Sequence, residues 1–197
     1  MEGINNAVAL RGTVADKPIF SHVGGNDNYF TFPLEIERLS GYMDRINIIA
    51  REALLEDLKI DDSSRFNVVG ELRSFNNKNG SGSRLVITVL ARELFLSEGT
   101  DINHVVLSGV ICKPPNLRKT PMGRQISDIM LAVNRRYGRS DYLPCIAWGK
   151  LAEGVAGLAV GDNVSLEGRV QSRKYMKSEN DEITERTAFE VSIVSLL

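Results

Sequence analysis

The chain repeats itself. Leu10-Arg11-Gly12-Thr13-Val14 returns as Leu107-Ser108-Gly109-Val110-Ile111, an offset of 97 residues. The same offset carries Leu34 to Leu131, Ile36 to Val133, Arg38 to Arg135 and Gly41 to Gly138. It continues from Asp44 to Asp141, Ile46 to Leu143, Ile49 to Ile146 and Ala50 to Ala147. One more residue of offset aligns Val68-Val69-Gly70-Glu71-Leu72 with Leu166-Glu167-Gly168-Arg169-Val170. Chance identities do not hold one register from Leu10 to Ala50. A repeat of this length in 197 residues implies two related domains. The seam falls near Ser97-Glu98-Gly99-Thr100-Asp101, which predicts domains over 1–98 and 99–197.

Each copy reads mostly as strand. Arg45 to Ala50 and Leu143 to Trp148 are short, rich in β-formers and bounded by turn residues. Val164 to Val170 alternates apolar with polar, as do Phe189, Val191 and Ile193, and Leu85, Ile87 and Val89 in the first copy. One helical stretch interrupts each set, Glu52 to Leu58 and Lys150 to Leu158. The order is therefore three strands, a helix and two strands. That pattern predicts an all-β chain with one short helix per domain: two tandem OB-folds, each a five-stranded Greek-key barrel, although small sandwiches share the strand count.

Composition excludes several classes. Hydrophobic residues make up 43% and charged residues 25%, as in ordinary globular proteins. No apolar run approaches the ~20 residues of a membrane-spanning helix, and Met1 to Asn6 lacks the basic-then-apolar order of a secretory signal. Cys112 and Cys145 are too few for a disulfide framework or a four-ligand zinc site, so no metal or cofactor is expected and a reducing cytoplasm is the expected compartment. The net charge of −1 hides an asymmetry: residues 1–100 carry −3 and residues 101–197 carry +2. His22 and His104 are the only histidines, and no phosphate loop, nucleophile elbow or metal-ligand spacing appears. Gly80-Ser81-Gly82 follows polar residues rather than a strand-to-helix junction. The chain is not expected to be an enzyme.

The second copy carries an ordered set of motifs. Asn103-His104-Val105-Val106-Leu107-Ser108-Gly109 opens it, and Asn116-Leu117-Arg118-Lys119-Thr120-Pro121-Met122-Gly123 follows. Next come Leu131-Ala132-Val133-Asn134-Arg135 and Trp148-Gly149-Lys150-Leu151-Ala152-Glu153. Val160-Gly161-Asp162-Asn163-Val164 and Glu167-Gly168-Arg169-Val170-Gln171-Ser172-Arg173-Lys174-Tyr175 close the series. This run resembles the bacterial single-stranded DNA-binding proteins. The resemblance implies an OB-fold that holds single-stranded DNA in replication, recombination or repair, without strong sequence preference and without catalysis. It also implies a homodimer supplying four OB domains, and base stacking on Tyr142, Trp148 and Tyr175.

Strand parity supports the same surface. Tyr142 and Trp148 are six residues apart and leave one face of a strand, at a separation of ~20 Å. Arg169, Gln171, Arg173 and Tyr175 share a face of the next strand, with Lys174 beside them. Arg118, Lys119, Arg124, Arg135 and Arg136 concentrate around the first loop and second strand, where they form a candidate phosphate track. In the first copy Tyr142, Trp148 and Tyr175 become Arg45, Arg51 and Asn77. Arg45, Arg51, Arg73 and Phe75 are its candidate contacts, on a more acidic domain.

Members of the family end in a flexible tail with an acidic tip, whereas this sequence stops at Ser195-Leu196-Leu197. The expectation is a specialised or accessory binder without an acidic recruiting tail. Two other readings remain open on sequence alone. Tandem OB-folds also serve as protein-interaction or assembly modules, and stacking does not distinguish DNA from RNA.

Overall fold

A computed structural model describes residues 5–61, 63–77, 85–179 and 182–197. Twelve strands form among these residues. The first six are β1 (Asn6–Val14), β2 (Ile19–Gly24), β3 (Asp27–Glu37), β4 (Met43–Arg51), β5 (Arg65–Asn76) and β6 (Leu85–Leu96). The second six are β7 (Ile102–Ile111), β8 (Asn116–Lys119), β9 (Gln125–Asn134), β10 (Ser140–Trp148), β11 (Asn163–Glu179) and β12 (Glu182–Leu196). Contacts divide the chain into two compact units. One comprises Ala7–Arg73 and Ile87–His104; the other comprises Val105–Leu197 with Met1–Asn6 and Ser74–Val86. Gly80-Ser81-Gly82 lies outside the described residues.

Both sets of strands close into rings of the same order. In the first, β1 pairs with β3 and β5, β3 with β4, β4 with β6, and β6 with β5. In the second, β7 pairs with β9 and β11, β9 with β10, β10 with β12, and β12 with β11. One pairing in each ring is parallel, Ile48↔Val89 and Cys145↔Val191, and these residues correspond across the repeat at β4 and β10. This is the five-stranded OB barrel that the strand pattern predicts. Alternation fills each interior: Leu10, Phe32, Leu34, Ile46, Ile48, Phe66 and Val68 in one ring, Leu107, Leu131, Leu143, Leu166 and Val191 in the other.

Two details depart from the sequence reading. An extra strand, β2 or β8, lengthens the first hairpin of each copy, so four strands rather than three precede the helical segment. The second copy keeps its helix, α1 (Lys150–Ala156), which buries Ala152 and Val155. The first copy makes only a 3-10 turn over Glu52–Leu54, none of it buried. A single turn or two of helix is unstable without an apolar face to pack. Ala152 and Val155 supply that face, and Glu52–Leu54 does not.

The glycines shared by the two copies have one structural cause. A Cβ on Gly12 would overlap the carbonyl of Glu35, and one on Gly109 the carbonyl of Ala132, its counterpart. Gly70 and Gly168 lie in the same way against the carbonyls of Leu90 and Ser192, and β11 bulges at Glu167/Gly168. Strands cross closely at these corners, and a side chain does not fit. Gly109→Ala is expected to destabilise the chain by about 1–3 kcal/mol. Gly154→Ala, on α1 with open space around it, is expected to be neutral or slightly stabilising. Paired denaturant melts check both, and equal midpoints for the two variants would contradict the close-approach account.

Candidate nucleic-acid interface

Alternation along β10 sends Leu143, Cys145 and Ala147 inward and leaves Tyr142 and Trp148 outside at 51% and 40% exposure. On β11, Arg169 and Arg173 are exposed and Gln171 and Tyr175 half-buried, while Leu166, Gly168 and Val170 are inside. The Arg173 guanidinium lies 5.8 Å from the centre of the Tyr175 ring. Both cysteines are free thiols, and burial raises the pKa of half-buried Cys112 and of fully enclosed Cys145.

Trp148 opens onto a groove lined by Lys119, Gly123, Arg124, Gln125, Gly149 and Lys150. Two local features build it. The β8–β9 hairpin carries Lys119 and Arg124 around its tip, where Thr120 and Arg124 hydrogen-bond across the turn at 2.8 Å and 3.1 Å. Gly149 adopts a φ of 59° and turns the chain from β10 into α1, which brings Lys150 to the indole's side of the groove. Among the described residues, no ion pair holds Lys119, Arg124 or Lys150. An aromatic face beside three such cations offers a base a stacking surface and a phosphate a counter-charge.

Other predicted cations are already engaged. Arg118 holds Asp128 through bonds of 2.6 Å and 3.2 Å, and that carboxylate raises the guanidinium's pKa. Lys174 lies 2.9 Å from Glu185, and Arg173 lies 4.0 Å from Glu190. Glu190 also accepts a 2.8 Å bond from Gln171 Nε2, so a carboxylate stands within the outward face. Arg136 and Arg169 are exposed. In the first copy, Arg45 pairs with Asp16, Arg73 with Glu71, and Arg51 lies 3.6 Å from Asp27. Phe75 stands half in solvent.

Arg135 has a different occupation. Its Nε donates to Asp141 Oδ2 at 2.6 Å, and Asp141 is fully buried. The same carboxylate accepts the Ser74 N–H at 2.6 Å, and Ser74 Oγ accepts the Tyr142 N–H at 2.7 Å. Arg38 and Asp44, the matching residues of the first copy, make the same bidentate pair at 2.5 Å and 2.6 Å. Each pair spans a turn with a left-handed glycine, Gly41 or Gly138. The repeated Arg, Gly and Asp are one turn clamp.

Sequence reasoning missed Lys150 and Tyr137. Lys150 directly follows Trp148-Gly149, and only the turn at Gly149 reveals its position. Tyr137 is 98% exposed between Arg136 and Arg139, with a φ of 67° that among the described non-glycine residues is positive only here. Its side chain rests on nothing, and the sequence alone does not distinguish such a ring from a packed one.

Residues 102–196 match the model of the single-strand binding protein family. Over 89 residues the chain is 36% identical to single-stranded DNA-binding protein 2 of Listeria innocua, covering 42% of this chain and 56% of that protein. It is 35% identical over 89 residues to single-stranded DNA-binding protein A of Bacillus subtilis, covering 42% and 52%. The chain thus spans about half the length of these curated relatives. The fold extends further: the crystal structure of the wild-type single-stranded DNA binding protein from Thermus aquaticus superposes with a TM-score of 0.79 at 23% identity, covering 98% of this chain and 91% of that one. The family and these relatives are named for binding, not for catalysis.

Arg135→Ala is expected to cost about 3–5 kcal/mol of stability, because it strands a buried carboxylate. Arg136→Ala, on the exposed turn, is expected to change stability by less than ~0.5 kcal/mol. Chemical denaturation of both variants checks this, and a stable Arg135→Ala protein would contradict the clamp.

Proposed function

We infer, from the match of residues 102–196 to the model of the single-strand binding protein family, that the chain binds single-stranded DNA with little sequence preference. The observation that carries this reading is the groove at Trp148, with Lys119, Arg124 and Lys150 around the indole. Bases stack on Trp148 and Tyr142 along β10 and on Tyr175 of β11. Each stacked base contributes ~1–3 kcal/mol, and every base has a face to offer, which explains tolerance of sequence. Phosphates displace counterions at Lys119, Arg124, Lys150, Arg136 and Arg169. The domains are 1–98 and 99–197, with the second as the principal binder. Two chains supply four such domains, and the bound strand is protected during replication, recombination or repair in the cytoplasm.

The paired cations of the first copy favour one second reading, in which that copy serves assembly and the DNA contact is made by the other alone. Binding measurements on a labelled thymidine homopolymer test the main reading. Trp148→Ala is expected to weaken binding about 5- to 150-fold. A Lys119→Ala/Arg124→Ala double variant is expected to reduce the slope of log affinity against log salt by ~1.4, at ~0.7 per phosphate contact on a single strand. Unchanged affinity and slope in both variants would overturn the reading.

A further inference from the structure

The two barrels place their aromatic residues differently on one equivalent row of strands. In the second copy Arg118 of β8 faces Ile126 of β9, which faces Trp148 of β10. Residues directly opposite across a ladder share a side of the sheet, so the row reads cation, aliphatic, aromatic. In the first copy His22 of β2 faces Tyr29 of β3, which faces Arg51 of β4. That row reads aromatic, aromatic, cation. Arg51 stands where Trp148 stands in the other copy, and the ring has moved to the strand beside it.

The relocated rings form a defined platform. His22 and Tyr29 stack with centroids 4.9 Å apart and planes 4° from parallel. A register shift in β2 between Phe20 and His22 aims the imidazole at this row. Tyr29 lies flat on the hairpin, close enough to Gly24 that a Cβ there would come within 2.8 Å of the ring. His22 is exposed, so the outer face of the stack meets solvent. Phe20 and Phe30 make an edge contact at 6.0 Å on the other side of the ladder, since Phe30 alternates with Tyr29 along β3. Arg51 closes the row and lies 3.6 Å from Asp27.

We propose that the first domain carries its own nucleobase-stacking site, formed by His22 and Tyr29 with Arg51 beside them. The proposal rests on single-strand binding as the function of the chain. Asp27 already neutralises Arg51, and this copy is net acidic, so the site takes bases by stacking and adds little phosphate attraction. Its contribution to affinity is therefore nearly independent of salt, unlike that of the groove at Trp148.

The test uses the full chain and two thymidine strands, of ~10 and ~35 nucleotides, since one OB-fold occupies ~4–16. Anisotropy of the labelled strands reports total binding, and Trp148 fluorescence reports the second domain separately. Tyr29→Ala and His22→Ala are each expected to weaken binding of the longer strand about 5- to 150-fold, with the salt slope and the Trp148 signal unchanged. Tyr29→Phe keeps the stack and is expected to bind as wild type, which separates stacking from loss of fold. Wild-type affinity for the longer strand in both alanine variants, with Trp148 still responding, overturns the proposal alone. If wild-type protein binds neither strand and Trp148 does not respond, the function itself is overturned, and this site with it.

Discussion

Closing five short strands into a barrel requires the chain to bring backbones together where no side chain fits. Gly12 and Gly109 meet that demand where β1 and β7 cross the second long strand of their rings, and Gly70 and Gly168 meet it at β5 and β11. The parallel pairings of β4 with β6 and β10 with β12 then complete each ring. Every other property follows from closure. A closed ring divides each strand into an inward and an outward set, so the apolar core and the ligand-facing surface are written on alternate residues of the same segment.

The outward set of the second barrel shows how a nearly neutral chain can present a local site. Lys119 and Arg124 at the β8–β9 tip and Lys150 at the start of α1 line the groove with Trp148, while Arg118, Arg173 and Lys174 lie against carboxylates. These ion pairs leave less uncompensated positive charge on the outward face than the count of its cations suggests. The carboxylates also hold aromatic neighbours in place, as Glu190 does by gathering Gln171 and Arg173 beside Tyr175. The first barrel goes further in the same direction, with its outward arginines paired and its rings gathered on β2 and β3.

Much of this was legible in the residues. The repeat and strand alternation lead to the barrel order, and parity alone puts Tyr142 and Trp148 outside while Leu143, Cys145 and Ala147 go in. What stayed hidden depends on partners distant in sequence. Arg135 reads as a surface cation until Asp141 is seen buried beneath it, and Arg118 until Asp128 is seen across the hairpin. The helix over Glu52 to Leu58 failed because propensity in a short segment yields to packing, and no apolar pair there reaches the core. The ring pair of the first copy does not show in the repeat alignment, because the positions that match Tyr142, Trp148 and Tyr175 hold Arg45, Arg51 and Asn77. The register shows that the ring had moved one strand over.

The central claim is that bases lie on the outward face of the second barrel, where the chain's single tryptophan ends β10. Titrating the protein with a thymidine homopolymer while following Trp148 fluorescence, at low and at moderate salt, tests this most directly. Strong quenching at saturation is expected, with an affinity that falls steeply as salt rises. Binding of the homopolymer without any change in the Trp148 signal would contradict it.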